Sequence, residues 1–201
     1  MNGTMSASAL AGPPLGSSGI TRHTTAVDPF TLDAARRGDR AARGKLLTSL
    51  QDVWYRFCLA QLHDPDLAAD ATQETGLRFL RQLAQFRGES QLQTWSLGIA
   101  LNVVRELRRK RSGALDLDDE PQLPAPADLT RDPEHLDDQL RLRDAMQTLS
   151  SRQREVLVLR YFENLSTEET AAAMNCAAGT VKATLHQALR ALKTRLSGEA
   201  R

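Results

Sequence analysis

The sequence predicts an all-α protein made of two small helical domains on a flexible acidic tether, and three observations lead there. Apolar residues recur at three- and four-residue spacing from Pro29 to Arg111 and again from Leu140 to Leu196, and no alternating run marks a convincing strand. Helix-start signals recur as well: Asp64-Pro65 places a cap before a proline at the first helical position. Ser90/Gln93, Ser150/Gln153 and Ser166/Glu169 each have the spacing of a capping box. Charge, finally, is segregated. Residues 29–112 hold 14 Lys/Arg against 9 Asp/Glu, residues 113–138 hold one Arg against 9 acids, and residues 139–201 hold 10 basic against 6 acidic side chains. The net charge of +1 therefore conceals two basic blocks around an acidic strap.

Residues 1–28, rich in Ser, Thr, Gly, Ala and Pro, read as a disordered tail in which Met5 offers a second start. Residues 29–112 form the first predicted domain, with helices over 30–37, 39–61, 65–85 and 91–111. Phe86-Arg87-Gly88-Glu89 breaks the pattern before the last of these. Leu92, Trp95, Ile99 and Val103 mark that helix's buried stripe. It ends in Arg105, Arg108, Arg109, Lys110 and Arg111, more cations than a helix C-terminus needs to offset its dipole. Residues 113–137, with prolines at 121, 124, 126 and 133, read as a linker. The second domain spans 138–197: helices over 140–149 and 151–162, then a helix-turn-helix.

That last segment, Leu165 to Leu196, carries the most chemistry. Ala171, Ala172 and Ala173 are small enough to let another helix approach closely. Asn175 falls where the turn begins and tolerates the left-handed conformation. Gly179-Thr180 opens a second helix on which Val181, Leu185 and Leu192 face a core. Lys182, His186, Arg190 and Lys193 share the opposite side, a largely basic face suited to phosphates and base edges. An ordinary helical hairpin with a solvated basic face has the same pattern, so both readings stand on the residues alone.

Other classes lack their signatures. Cys58 and Cys176 show no CxxC or Cys/His ligand spacing and read as free thiols of a reducing compartment. The four His are isolated, and no phosphate-binding Gly loop, nucleophile elbow or paired acid and base is present, so neither an enzyme, a metal nor a cofactor is expected. No run approaches the ~18 apolar residues of a membrane span, and the N-terminus lacks the form of a signal peptide. A cytoplasmic protein without membrane insertion is the expectation.

Several separated segments, in order, resemble the extracytoplasmic-function (ECF) sigma factors of bacterial RNA polymerase. Ala35-Arg36-Arg37-Gly38-Asp39 is similar to the opening of sigma region 2. Ala69-Asp70-Ala71-Thr72-Gln73-Glu74-Thr75 is similar to that family's core-binding segment, and Thr94 to Asn102 to its Trp-Leu-x-x-Ile-Ala-x-Asn helix. Leu149 to Tyr161 resembles the first half of region 4, and Gly179-Thr180-Val181-Lys182 the start of its promoter-reading helix.

The resemblance implies a sigma factor that binds core RNA polymerase and directs initiation at promoter DNA. Asp70, Gln73 and Glu74, which fall on one helix face, would dock on the largest core subunit; without the resemblance they read rather as a solvated acidic face. Phe86, Arg87, Ser90, Asn102, Arg105, Arg108 and Arg109 would hold the opened −10 strand, although Phe86 also fits a core position and Trp95 fits the core better. Thr180, Lys182, Thr184, His186, Gln187, Arg190 and Lys193 would meet the −35 duplex. The acidic linker would thread near the active-centre cleft, though a soluble tether needs such charge in any case, and an anti-sigma factor would hold the chain inactive. The alternative is a stand-alone helix-turn-helix regulator, which would bind duplex DNA without polymerase. The chain also departs from the family pattern: Thr184, Gln187 and Leu189 stand where it usually has arginines, Leu101 replaces an Arg and Glu106 an Asp. An unusual promoter preference follows, with Gln187 able to read adenine.

Overall fold

The computed structural model describes residues 28–111 and 136–197, and every regular element within them is helical. The expected tail (1–28, save Asp28) and nearly all of the expected linker lie outside the described residues.

Short caps set where the first helices begin. The Asp28 carboxylate accepts from the N–H groups of Phe30 and Thr31 and starts α1, Pro29–Arg36. Asp39 accepts from Ala42 at 2.7 Å and starts α2, Arg40–Leu62. Asp64 caps α3, Pro65–Gln82, with proline at its first position as the sequence predicts. α3 tightens into a 3-10 turn at Leu83–Gln85. The chain then reverses through Gly88, whose φ of +75° a side chain would strain, into α4, Leu92–Arg111. The capping box expected of Ser90 and Gln93 does not form. The first carbonyl to accept in α4 is that of Gln91, from the Trp95 N–H, so the cap lies one residue later and the register of the box is lost.

Helices α2, α3 and α4 enclose an aromatic relay. Trp54 and Phe79 lie 5.2 Å apart between ring centres, Phe79 and Trp95 5.6 Å, Trp95 and Phe86 5.0 Å. The buried Trp54 Nε1–H donates to Ser96 Oγ at 2.9 Å, so this ring is hydrogen-bonded as well as packed. The predicted stripe of Leu92, Trp95, Ile99 and Val103 faces this core, Trp95 partly exposed.

In the second half α5 runs Leu136–Gln147, starting two residues inside the expected linker. α6, Ser151–Leu157, opens on the predicted Ser150/Gln153 capping box and widens into a π-helical turn at Val158–Phe162. The buried Arg154 reaches back to the carbonyls of Met146 and Leu149, fastening α6 to the end of α5. α7, Thr167–Met174, opens on the Ser166/Glu169 box and stops at Asn175 in the left-handed conformation (φ 51°, ψ 55°), as the turn requires. α8, Ala178–Leu196, buries Val181, Ala188 and Leu192.

The two halves pack on each other. α7 lies along α4, and a Cβ added at Gly98 would stand 3.3 Å from the Ala173 carbonyl oxygen, a tight contact that a side chain could make only if α7 gave way by a few tenths of an ångström. The small residues of α7 thus serve a contact with the first half.

Glu163, just after the π-helical turn, is partly buried, and burial pushes its carboxyl up to about 7 although Arg56 pulls the other way. The unfolded chain releases that proton near pH 4.3. Between those values the folded state binds more protons, so stability falls as pH rises through the window, and above it the penalty is complete. Glu163→Gln should stabilise by about 1–2 kcal/mol at pH 8, allowing for partial exposure, and change little at pH 4. Thermal melts at the two pH values check this; equal gains at both would exclude a titrating cause.

Candidate polymerase and nucleic-acid interfaces

On α3 the Asp70 and Gln73 side chains are exposed, and Glu74 is half-buried beside them. Glu74 accepts from Arg78 Nε at 2.7 Å, while both terminal nitrogens of Arg78 donate to Glu106 on α4, each at 2.7 Å. This bidentate pair holds the Glu106 carboxyl below the usual range and raises the Arg78 guanidinium above its own. Glu74 is therefore committed to a bridge between helices, whereas Asp70 and Gln73 face solvent. Leu77, one turn on, is 51% exposed, a signal that periodicity alone did not bring out.

Among the residues expected at the −10 strand, the structure separates two groups. Asn102, Arg105 and Arg109 line one open recess of about 400 Å³ between α3 and α4, together with Arg78, Gln82, Ile99 and Glu106. Arg87 is exposed in the loop before α4, 3.9 Å from Glu89, with Ser90 half-exposed nearby. Phe86 and Arg108, by contrast, do not face solvent. Phe86 is 5% exposed and packs on Trp95, which is the core position its sequence context also allowed. Arg108, 4% exposed, donates to the Gln61 carbonyl at 2.6 Å and to Gln61 Oε1 at 3.0 Å, satisfying the last turn of α2. Sequence position alone could not distinguish Arg108 from its exposed neighbour Arg109.

Glu155 is the residue that sequence reasoning missed. It comes from α6, is almost wholly buried, and takes Arg105 Nε at 3.0 Å and Arg105 Nη2 at 2.6 Å. Arg108 Nη1 stands 3.6 Å away and Arg152 Nη1 3.8 Å.

On α8 the expected face is present as one surface. Thr180, Lys182, His186, Gln187, Arg190 and Lys193 are exposed and Thr184 is half-buried, above buried Val181 and Leu192 and half-buried Leu185. Leu189 is 41% exposed on the same helix. His186, Gln187, Arg190, Thr194 and Arg195 line an open recess of about 520 Å³ with Thr148 from the end of α5. Among the described residues no group of three or more His, Cys, Asp or Glu is placed to hold a metal ion, and no helix is long and apolar enough to cross a membrane.

Residues 46–113 match the Sigma-70 region 2 family, and residues 139–192 match Sigma-70, region 4. Fold and matched regions together define a sigma-type transcription initiation protein. The ECF RNA polymerase sigma factor SigC of Mycobacterium tuberculosis is 33% identical over 178 residues, which cover 83% of this chain and 89% of that protein. The RNA polymerase sigma-E factor of Streptomyces antibioticus is 56% identical over 59 residues, 29% of this chain, and the match spans only 33% of that relative's length. A solved sigma factor, RpoE of Bartonella quintana in complex with the anti-sigma factor NepR, aligns with a TM-score of 0.61 and 25% identity over 79% of this chain and 98% of that one. The chain belongs to the extracytoplasmic-function sigma factors of bacterial RNA polymerase. Its function is that of the family, initiation of transcription through polymerase binding and promoter recognition.

Proposed function

We propose that the two halves divide this work. Helix α3 docks on core RNA polymerase through Asp70 and Gln73, with Glu74 supporting them through Arg78. The recess formed by Asn102, Arg105 and Arg109, with Arg87 and Ser90 beside it, takes the opened −10 strand. Helix α8 enters the major groove at the −35 element. Arg108 and Phe86 serve this arrangement from inside, by fixing α4. The protein works in the cytoplasm, where polymerase is, and an anti-sigma protein is its natural antagonist; the RpoE–NepR complex supports that partner class.

The observation that carries the −35 reading is the exposed row Lys182, His186, Gln187, Arg190 and Lys193, set on the second helix of a helix-turn-helix whose turn residue, Asn175, has the required left-handed backbone. One cation lost from that row removes one phosphate contact. Lys182→Ala should weaken promoter binding by the reconstituted holoenzyme at every sequence tested and lower the slope of log affinity against log salt by about one. Assembly with core polymerase should be unaffected. Loss of assembly instead would place this helix against polymerase and not DNA.

A further inference from the structure

Leu189 interrupts the polar face of α8. The core of this half takes Val181, Ala188 and Leu192 from the helix, all buried, with Leu185 half-buried beside them. Leu189 belongs to the outer row instead. Lys182, His186, Leu189 and Lys193 follow one another at steps of four, three and four residues, which sets their side chains along one face. His186 and Lys193, one turn to either side, are exposed, as is Arg190 next to it, and Leu189 itself is 41% exposed. A lone exposed leucine is ordinary on most surfaces. This face, however, is the one proposed to enter the major groove, where chemistry leaves an apolar side chain little choice. Among the groups that distinguish the base pairs there, the 5-methyl of thymine is the apolar one. The others are hydrogen-bond donors and acceptors, which leucine strips of water without replacing the lost bonds.

We infer that Leu189 is a specificity residue for promoter choice: it packs on the 5-methyl of a thymine in the −35 duplex and disfavours bases that offer only polar groups at that position. This role rests on the proposed entry of α8 into the −35 groove and adds a base class to it. Lys182, Arg190 and Lys193 supply phosphate contacts and Gln187 hydrogen bonds, and none of these recognises a methyl group. Along the helix axis Leu189 lies about 10 Å beyond Lys182, roughly three base steps of the duplex. Both contacts therefore fall within one recognition element.

Holoenzyme reconstituted from the full chain and bacterial core RNA polymerase provides the test. It is offered two duplex libraries randomised over promoter length, one made with thymine and one with deoxyuridine, which pairs in the same way but lacks the methyl. Sequencing the bound fraction gives the base preference at each position of the upstream element. Wild type should enrich thymine at one position by about fourfold, the worth of one buried methyl. That preference should vanish in the deoxyuridine library while the others persist, a comparison that needs no variant and so does not hang on how one folds. Leu189→Ala should lose the same preference in the thymine library. Leu189→Arg should lose it too, and should steepen the slope of log affinity against log salt by about one through a new phosphate contact. Both variants should still co-elute with core polymerase. Uracil enriched as strongly as thymine overturns the inference, as does a thymine preference that survives in Leu189→Ala, or an upstream element with no thymine preference at all. In each case the groove reading of α8 stands. Loss of co-elution in the Leu189 variants also overturns it, by placing this leucine against polymerase. An upstream element without preference at any position refutes the −35 reading itself, and the role of Leu189 with it.

Discussion

Replacing Asp70 and Gln73 together with Ala is expected to abolish co-elution with core RNA polymerase on gel filtration while leaving the helical circular dichroism signal intact. The two side chains sit on one face of α3, both exposed, and neither takes part in the ion-pair bridge that Glu74 makes through Arg78. Ala favours a helix at least as well as Asp or Gln, and surface changes of this kind usually alter stability by no more than about 0.5 kcal/mol. Loss at an interface has a different scale: two docking side chains at about 2 kcal/mol each weaken a complex roughly a thousandfold. Stability and docking are therefore separable at these positions. At Glu74 they are not, because removing it also takes a partner from Arg78, and a failed complex there would have two explanations. Persistent co-elution of the double variant would move the docking face off α3 altogether.

Much of this arrangement was legible in the sequence, because local physics writes it there. A cap is a relation between residues two or three apart, so Asp64, Ser150 and Ser166 announced their helices; Ser90 failed because a one-residue shift in the start of α4 breaks so short a relation. Asn175 and the row of cations on α8 were readable for the same reason. The burial of Phe86 and Arg108 was not, since each is decided by a side chain of another helix: Trp95 in one case, Gln61 some 47 residues away in the other. Glu155 is the extreme instance, separated from Arg105 by 50 residues. In its own helix it is an ordinary glutamate that follows two arginines, Arg152 and Arg154. The small residues Ala171 to Ala173 did signal a close approach, but not which helix would make it, and the partner proved to be Gly98 of α4.

Phe79→Ala carries the largest expected loss of stability. The ring is fully buried, with Trp54 on one side at 5.2 Å and Trp95 on the other at 5.6 Å. Its removal leaves a cavity walled by two indoles, and neither is free to fill it. Trp54 is tethered by its hydrogen bond to Ser96, and Trp95 is braced by Phe86. A site that collapses poorly belongs near the top of the usual range for such a truncation, about 3–5 kcal/mol. Against a total of roughly 5–15 kcal/mol for a typical domain, that leaves the first half close to unfolding at growth temperature. Leu77→Ala is the fitting control: it lies on the same helix, half a turn away and 51% exposed, and should move the urea midpoint very little. The relay also sets where α4 lies, because Ser96 and Trp95 belong to that helix while Trp54 and Phe79 belong to α2 and α3. Loss of Phe79 should therefore abolish promoter opening and polymerase docking together, with a matching loss of helical signal, where Asp70→Ala with Gln73→Ala removes docking alone. Urea denaturation followed by circular dichroism decides between the two patterns. A Phe79→Ala protein as stable as wild type would mean that the indoles repack, and that the position of α4 is held chiefly by the Arg78–Glu106 bridge on its other face.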